Sequence, residues 1–324
     1  MTTRATDEPA KSAKASLAWG MPVLLFAGLL VRLVFVPSEG YDVDLHTFEA
    51  WAISLATHGL GNFYASGQFA DYPPGYFYIL AVVGEIWQFL SHVGLGRDIV
   101  LKALVKLPAI LADLGVGTLL YAIARRFAPQ GMALLTAALY LLNPAIVYDS
   151  AYWGQIDSVA GGFALLAIFC LLKSDDGEPS SAVDWWIVGG WLAFGYSLLI
   201  KPQAAVLAPL MIAFALIDRP RLRRRLVSTA AGMAGALLLA ILLSEPFHLS
   251  DPVSALAWLF QQFHYGTTVY PYNSVNAFNL WTIRGSMWQS DADPILFFNV
   301  VPLGPYWLWG ILLTLAAVAL VVWR

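Results

Sequence analysis

Long apolar runs alternate with polar intervals along this chain, and their order gives the first picture of the fold. Residues 17–36 are apolar apart from Arg32, and a polar interval covers 38–76. Apolar character resumes after Tyr72-Pro73-Pro74 and lasts to Val93, then returns in 114–124, 132–147 and 158–172. The stretch 185–217 is too long for one crossing. Lys201-Pro202-Gln203 interrupts it, which predicts two helices meeting there. Runs 226–243 and 304–323 complete the series. A spanning helix needs about 20 apolar residues, so the pattern predicts an all-α, polytopic transmembrane helical bundle of about nine to ten spans.

The polar intervals carry their own periodicity. In 38–76, Leu45, Phe48, Ala52 and Leu55 recur at helical spacing with Trp51 beside them. His46, Glu49, Ser54 and His58 fall elsewhere on the wheel, which predicts an amphipathic helix lying in the membrane interface. Gly59 and Gly61 end it. The run 17–36 contains Arg32 and lacks a small-residue cleavage site before Pro37, so it reads as an anchor helix and not a signal peptide.

Basic residues fix the expected sidedness. Arg4, Lys11 and Lys14 make residues 1–16 a cytoplasmic tail, which puts 38–76 outside. Residues 219–225 hold five arginines, the strongest cytoplasmic mark in the chain. Counting back from them puts Lys173 inside, with Trp153 and Lys201 outside. Arg125 and Arg126 also read as inside, which demands an odd number of crossings between 73 and 124, where two helices are visible. A second large outer segment is expected over 244–303, so that 17–324 is one transmembrane domain with two outer loops.

Composition agrees and excludes other classes. The 324 residues are 59% hydrophobic and 12% charged, about half the charge of a water-soluble domain. A net charge of −3 gives no reason to expect nucleic acid. The single cysteine, Cys170, rules out an intrachain disulfide or a cysteine metal site. The 13 tryptophans and 14 tyrosines suit interfacial belts and an aromatic-lined cavity.

Three constellations carry candidate chemistry. Asp42 and Asp44 sit in the first outer loop. Asp44 directly precedes the expected helix, so an N-cap is the plain alternative to a proton-accepting role; the two are compatible. Asp42 is a solvated loop acid or a partner in an Asp-x-Asp pair that could hold a divalent metal, a weak metal signal on its own. Trp153, Gln155 and Asp157 cluster at a span's outer end, where aromatic stacking with amide and carboxylate hydrogen bonds suits a sugar. Lys201 is isolated in an apolar stretch, so it needs a phosphate or a carboxylate partner. Arg284, His248 and His264 are weaker outer-loop candidates, against simple solvation. Arg32 reads as a snorkelling side chain or a phosphate contact, and Asp113 with Lys106 as an internal ion pair.

An acidic first outer loop, an interfacial helix and a proline-rich start to the next span resemble the plan of the family C (GT-C) glycosyltransferases, integral-membrane enzymes that use polyprenyl-phosphate sugars. The stretches 152–157, 201–203 and 269–281 are similar to those of bacterial and archaeal mannosyltransferase-like proteins, and distantly to the dolichyl-phosphate-glucose glucosyltransferases. The resemblance covers residues 17 to 281. It implies a plasma-membrane enzyme with its site outside and a polyprenyl-phosphate hexose as donor. The acceptor would be a lipid-linked glycan, a protein or another hydroxyl, and transfer would proceed with inversion. It implies Asp44 as general base, with Asp42 in reserve. It implies Lys201 and Arg284 at the phosphate, helped by His248 or His264, and Trp153, Gln155 and Asp157 at the sugar. Such enzymes carry further C-terminal spans, so a short or truncated member is expected. A lipid-linked sugar transporter or flippase and a non-catalytic membrane subunit are the rival readings. Against the transporter, the polar residues gather in outer loops, away from the midplane where transporter sites lie.

Overall fold

The computed structural model describes residues 19–67, 69–175, 182–217, 219–248, 251–272, 274–275, 288–290, 292–297, 301–305, 308, 311–312 and 315–316. The expected tail 1–16, Arg284, residues 273 and 276–281 of the 269–281 motif and most of the 304–323 run lie outside the described residues.

The protein is an all-α membrane bundle. Its helices are α1 (Gly20–Phe35), α2 (Asp42–His58), α3 (Gly75–His92), α4 (Asp98–Phe127), α5 (Gln130–Leu141) and α6 (Pro144–Val147). A six-residue π-helix, Tyr148–Trp153, continues α6. Then come α7 (Asp157–Ser174), α8 (Trp185–Ile200), α9 (Ala208–Ile217), α10 (Leu222–Ser244) and α11 (Pro252–Thr268). One short antiparallel hairpin, β1 (Pro294–Phe297) with β2 (Val301–Pro305), is the departure from an all-helical chain among the described residues.

Contacts distant in sequence define two ends of the bundle. At one end Arg126 donates to the Leu172 carbonyl at 2.8 Å, Arg225 pairs with Asp175 at 2.5 Å, and Arg224 pairs with Asp184 at 3.0 Å. Arginine and lysine gather there, as the charge pattern predicts. At the other end Lys106 donates to the Ser38 carbonyl at 2.9 Å, Trp153 reaches Asp44, and Tyr78 donates to the Leu243 carbonyl at 2.9 Å. The segments α1, α4, α5–α6, α7, α8, 202–217 and α10 each run between these ends.

Helix α3 does not. It begins beside Leu199, whose carbonyl a Cβ on Gly75 would meet at 2.6 Å. It then packs along α2, with Gly84 against the Ala52 carbonyl. The chain after it re-enters at Lys102, which pairs with Glu39 at 2.6 Å, back at the site end. The 30-residue α4, about 45 Å long, then makes the passage alone. Arg126 thus stands at the end of the bundle opposite Lys102 after a single passage along it.

Against the expected nine to ten spans, length and composition alone single out fewer among the described residues. By length and composition two described helices can cross unaided, Asp157–Ser174 and Leu222–Phe247, and a third if the pair Gln130–Leu141 and Pro144–Trp153, bent by 44°, counts as one. Gly20–Phe35, Trp185–Ile200 and Pro202–Leu216 are apolar but shorter, and α4 carries six charged residues.

Two further sequence expectations are corrected in the interior. Asp113 pairs with Arg32, at 2.7 Å and with both side chains fully buried, and not with Lys106. Tyr140 and Ser158 also donate to Asp113, and Arg32 donates to the carbonyls of Gly28 and Leu141. Arg32 therefore neither snorkels nor reaches the outer face. Lys106 instead donates to the carbonyls of Val36 and Ser38.

Candidate functional site

The first turn of α2 is the foundation of the site. Tyr41 is the residue before the helix, and no side chain caps it; Asp42 and Asp44 both lie inside the first turn. The cap expected at Asp44 is thus displaced by three residues, to Tyr41, and the carboxylate is free for other partners. An acidic residue there still suits the positive end of the helix dipole. The predicted apolar face is the buried one: Leu45, Phe48, Trp51, Ala52 and Leu55 are each at most 3% exposed. They sit in an aromatic core with Phe63, Tyr76, Phe77 and Phe247. That packing fixes the turn above it.

A second element meets this turn. The π-helix ends at Gly154, whose φ of 90° lets the chain reverse into α7. Its amide and that of Gln155 both donate to the Asp149 carbonyl, at 3.0 and 2.9 Å. The reversal aims Trp153 and Gln155 at α2. Gly40 makes the approach possible, because a Cβ there would stand 2.7 Å from the Tyr152 carbonyl and 2.9 Å from that of Trp153.

The result is a continuous chain of polar contacts. Trp153 Nε1 donates to Asp44 Oδ2 at 2.8 Å, and Gln155 Nε2 donates to the same oxygen at 2.5 Å. Gln155 Oε1 accepts from Lys201 Nζ at 3.1 Å, and Lys201 also pairs with Asp157 at 2.5 Å. Lys201 stands where α8 breaks before Pro202, buried, with Nζ 5.4 Å from the centre of the Tyr72 ring. The sequence left phosphate and carboxylate open as its partner; the structure supplies the Asp157 carboxylate.

These groups border a cavity of about 790 Å³. Asp44, Trp153, Gln155 and Lys201 line it, with Tyr41, Tyr72 and Gln203. The 244–303 segment contributes Gly266 of α11, then Tyr270, Val275 and Trp288. Trp288 holds a φ of 64°, uncommon for a residue with a side chain, and donates its amide to the Ser274 carbonyl at 2.9 Å. Asp157 borders this network through Lys201 and is itself exposed.

Other expected residues are elsewhere. Asp42 is 79% exposed and pairs with His46 at 3.0 Å, away from Asp44, so the Asp-x-Asp pair does not converge on one point. No group of three His, Cys, Asp or Glu side chains could hold a metal ion among the described residues. His248 stacks on Trp258, ring centres 5.6 Å apart and nearly parallel, and His264 lies on α11 with its carbonyl accepting from Thr268. Neither lines the cavity.

Sequence reading missed Asp71 and Tyr72, which do line it. Their signal was the stretch Asp71-Tyr72-Pro73-Pro74-Gly75, read only as a helix start. Burial pushes the Asp71 carboxyl above the usual carboxylate range, with Lys201 opposing and Asp44 reinforcing the shift. Burial also pushes the Tyr72 phenol up to about 12, so it stays a hydrogen-bond donor at any ordinary pH.

An acid with one fixed oxygen, a buried cation, and aromatic and amide groups sit together at one end of an apolar bundle. That arrangement suits a polar, anionic headgroup on a lipid tail. No curated protein matches the chain. The model of the dolichyl-phosphate-mannose-protein mannosyltransferase family does, over residues 71–246, which takes in Asp71, Trp153, Gln155, Asp157 and Lys201. The match covers more than half of the chain, which therefore belongs to the dolichyl-phosphate-mannose-protein mannosyltransferase family of membrane glycosyltransferases.

Proposed function

We propose that this protein transfers a hexose, with inversion, from a polyprenyl-phosphate sugar to a hydroxyl of a glycan, protein or other acceptor on the outer membrane face. The observation that carries the reading is the Asp44–Gln155–Lys201 chain along one cavity wall. It sets a proton acceptor and a cation at a fixed separation, as displacement at an anomeric carbon requires.

In this mechanism the lipid tail lies among the apolar helices and the sugar enters the cavity. Trp153 and Gln155 hold Asp44 Oδ2, so Asp44 Oδ1 is the oxygen that faces the acceptor. The acceptor oxygen bonds to the anomeric carbon while its proton passes to Asp44. The bond from that carbon to the phosphate oxygen breaks on the opposite side, and the electron pair leaves with the lipid phosphate. Charge builds on that phosphate, and a preplaced cation stabilises it most where water is excluded. Lys201 supplies the cation, exchanging part of its contact with Asp157 for the phosphate. Trp153, Gln155 and Asp157 orient the sugar.

The test is transfer from radiolabelled polyprenyl-phosphate mannose, glucose, galactose and arabinose by purified protein in lipid. Wild type transfers from one donor, and Asp44→Asn loses about 10²- to 10⁴-fold in turnover, the range for a general base. Equal transfer by wild type and Asp44→Asn would remove Asp44 from the chemistry. Binding of every donor without transfer to any acceptor of a lipid-linked glycan and peptide panel would favour a carrier of lipid-linked sugars.

A further inference from the structure

The cavity holds a second carboxylate that the mechanism above leaves without a task. Asp71 heads the turn that starts α3 and lines the same wall as Asp44. The backbone around it is pinned on both sides. Trp51 Nε1 donates to the Phe69 carbonyl at 2.6 Å, and Tyr64 donates to the Tyr72 carbonyl at 2.9 Å. Helix α11 presses on the Asp71 carbonyl itself, so closely that a Cβ on Gly266 would come within 2.4 Å of it.

The carboxylate held in this rigid frame takes a hydrogen bond from its own backbone amide. Asp44 receives two side-chain donors, from Trp153 and Gln155. Asp71 receives none from another side chain among the described residues, although it is half-buried and close enough to feel both Lys201 and Asp44. Holding an acceptor-only group partly away from water with so few donors costs free energy. The cost vanishes when a ligand brings O–H donors. A sugar ring offers several, with neighbouring hydroxyls spaced to meet the two oxygens of one carboxylate. Among the described residues no other side chain fills this role, and the cavity opens in front of it.

We infer that Asp71 is a specificity-determining residue that accepts hydrogen bonds from hydroxyls of the sugar being transferred. This rests on the transfer reading. Asp44 deals with the acceptor's proton and Lys201 with the phosphate, while Asp71 selects the ring. A donor lacking the matching hydroxyl leaves Asp71 unpaired, and sites built this way discriminate strongly.

The experiment uses the full chain in lipid, with wild type, Asp71→Asn and Asp71→Glu. Each is given the preferred polyprenyl-phosphate hexose and its mono-deoxy analogues, and kcat and KM are read separately. Wild type loses at least tenfold in kcat/KM on one or two of the deoxy donors. In Asp71→Asn the natural donor falls by a similar factor, and the extra penalty on those same analogues disappears. Asp71→Glu, which keeps the charge, recovers part of the discrimination and shows the fold intact. A deoxy penalty that survives undiminished in Asp71→Asn overturns the assignment. Loss of kcat on every donor alike, with donor binding unchanged, also overturns it and makes Asp71 a proton acceptor. If wild type transfers nothing, the transfer reading fails and Asp71 is tested by binding. Tryptophan quenching by methyl hexosides and their deoxy forms should then show discrimination in wild type and none in Asp71→Asn; equal discrimination in both sinks the role.

Discussion

Asp44 and Lys201 are joined through one side chain: the Gln155 amide donates to Asp44 Oδ2 at 2.5 Å and accepts from Lys201 Nζ at 3.1 Å. Only one amide orientation satisfies both neighbours, since the reverse would set oxygen against carboxylate and NH₂ against ammonium. The glutamine therefore spaces acid and cation as well as holding them. Gln155→Leu should keep the fold and lower kcat by about 10²-fold, the cost of misplacing reacting groups by about an ångström. Gln155→Glu should be at least as damaging, because it brings a second carboxylate against Asp44. Steady-state transfer with the preferred donor checks both. A Gln155→Leu variant with wild-type kcat would show that the bridge positions nothing.

The buried pair Arg32–Asp113 carries a stability prediction. Both side chains are fully buried, and Asp113 takes further hydrogen bonds from Tyr140 and Ser158. Removing one partner leaves an uncompensated charge, so Arg32→Met or Asp113→Leu alone should destabilise by about 3–5 kcal/mol. The double variant should recover much of that loss. Thermal unfolding in detergent reads both effects. Neither residue lines the cavity, so surviving protein should keep its KM.

How much of this was legible in the sequence depends on the kind of contact. Asp44, Trp153, Gln155 and Lys201 stood out because each is polar beside apolar sequence, and burial of such groups demands partners. Which partner each one takes was not legible. Asp113 lies seven residues, about two turns, from Lys106 on its own helix, yet its partner, Arg32, comes from a helix elsewhere in the chain. Hydropathy could not separate α3 from a crossing helix, because lining the α2 platform and lining a bilayer select the same apolar residues. Asp71 was passed over for a related reason: it is polar in a polar interval, and α11, which packs against its backbone carbonyl, lies far along the chain.

Gly40 tests the meeting of the 38–76 loop with the π-helix. Its φ is +69°, and a Cβ there would collide with two carbonyl oxygens. Gly40→Ala should cost about 1–2 kcal/mol for the left-handed conformation, and more for the forced separation. The displaced loop carries Asp44 away from Trp153 and Gln155, so turnover should fall further than stability does. Gly59, at φ +74° with nothing within 4 Å of its Cβ position, is the control. Gly59→Ala should show the conformational penalty on unfolding while kcat stays within a few-fold of wild type.

Asp71 predicts a pH dependence whose sign is fixed by its surroundings. Burial holds its carboxyl above the ordinary range. The charged and titratable groups around it are Asp44, which raises it further, Lys201, which lowers it, and the phenols of Tyr64, Tyr72 and Tyr270. Between the ordinary carboxylate pKa and the raised one, the folded protein binds more protons at this site than the unfolded chain. Stability from this group therefore falls as pH rises through that window, and the cost is fully present above it. Glu39, held below its usual range by its hydrogen bond to Lys102, has the opposite slope and loses its contribution as pH falls. Melting temperatures of wild type and Asp71→Asn across pH 4 to 8, on the order of the carboxylate range, separate the two. Asp71→Asn should be the more stable protein at the upper end, with the gap closing as pH falls. Sugar binding by wild type should run the other way, weakening as Asp71 takes up its proton. If the two melting curves stay parallel, Asp71 is ionised throughout and the cavity is wetter than its lining implies.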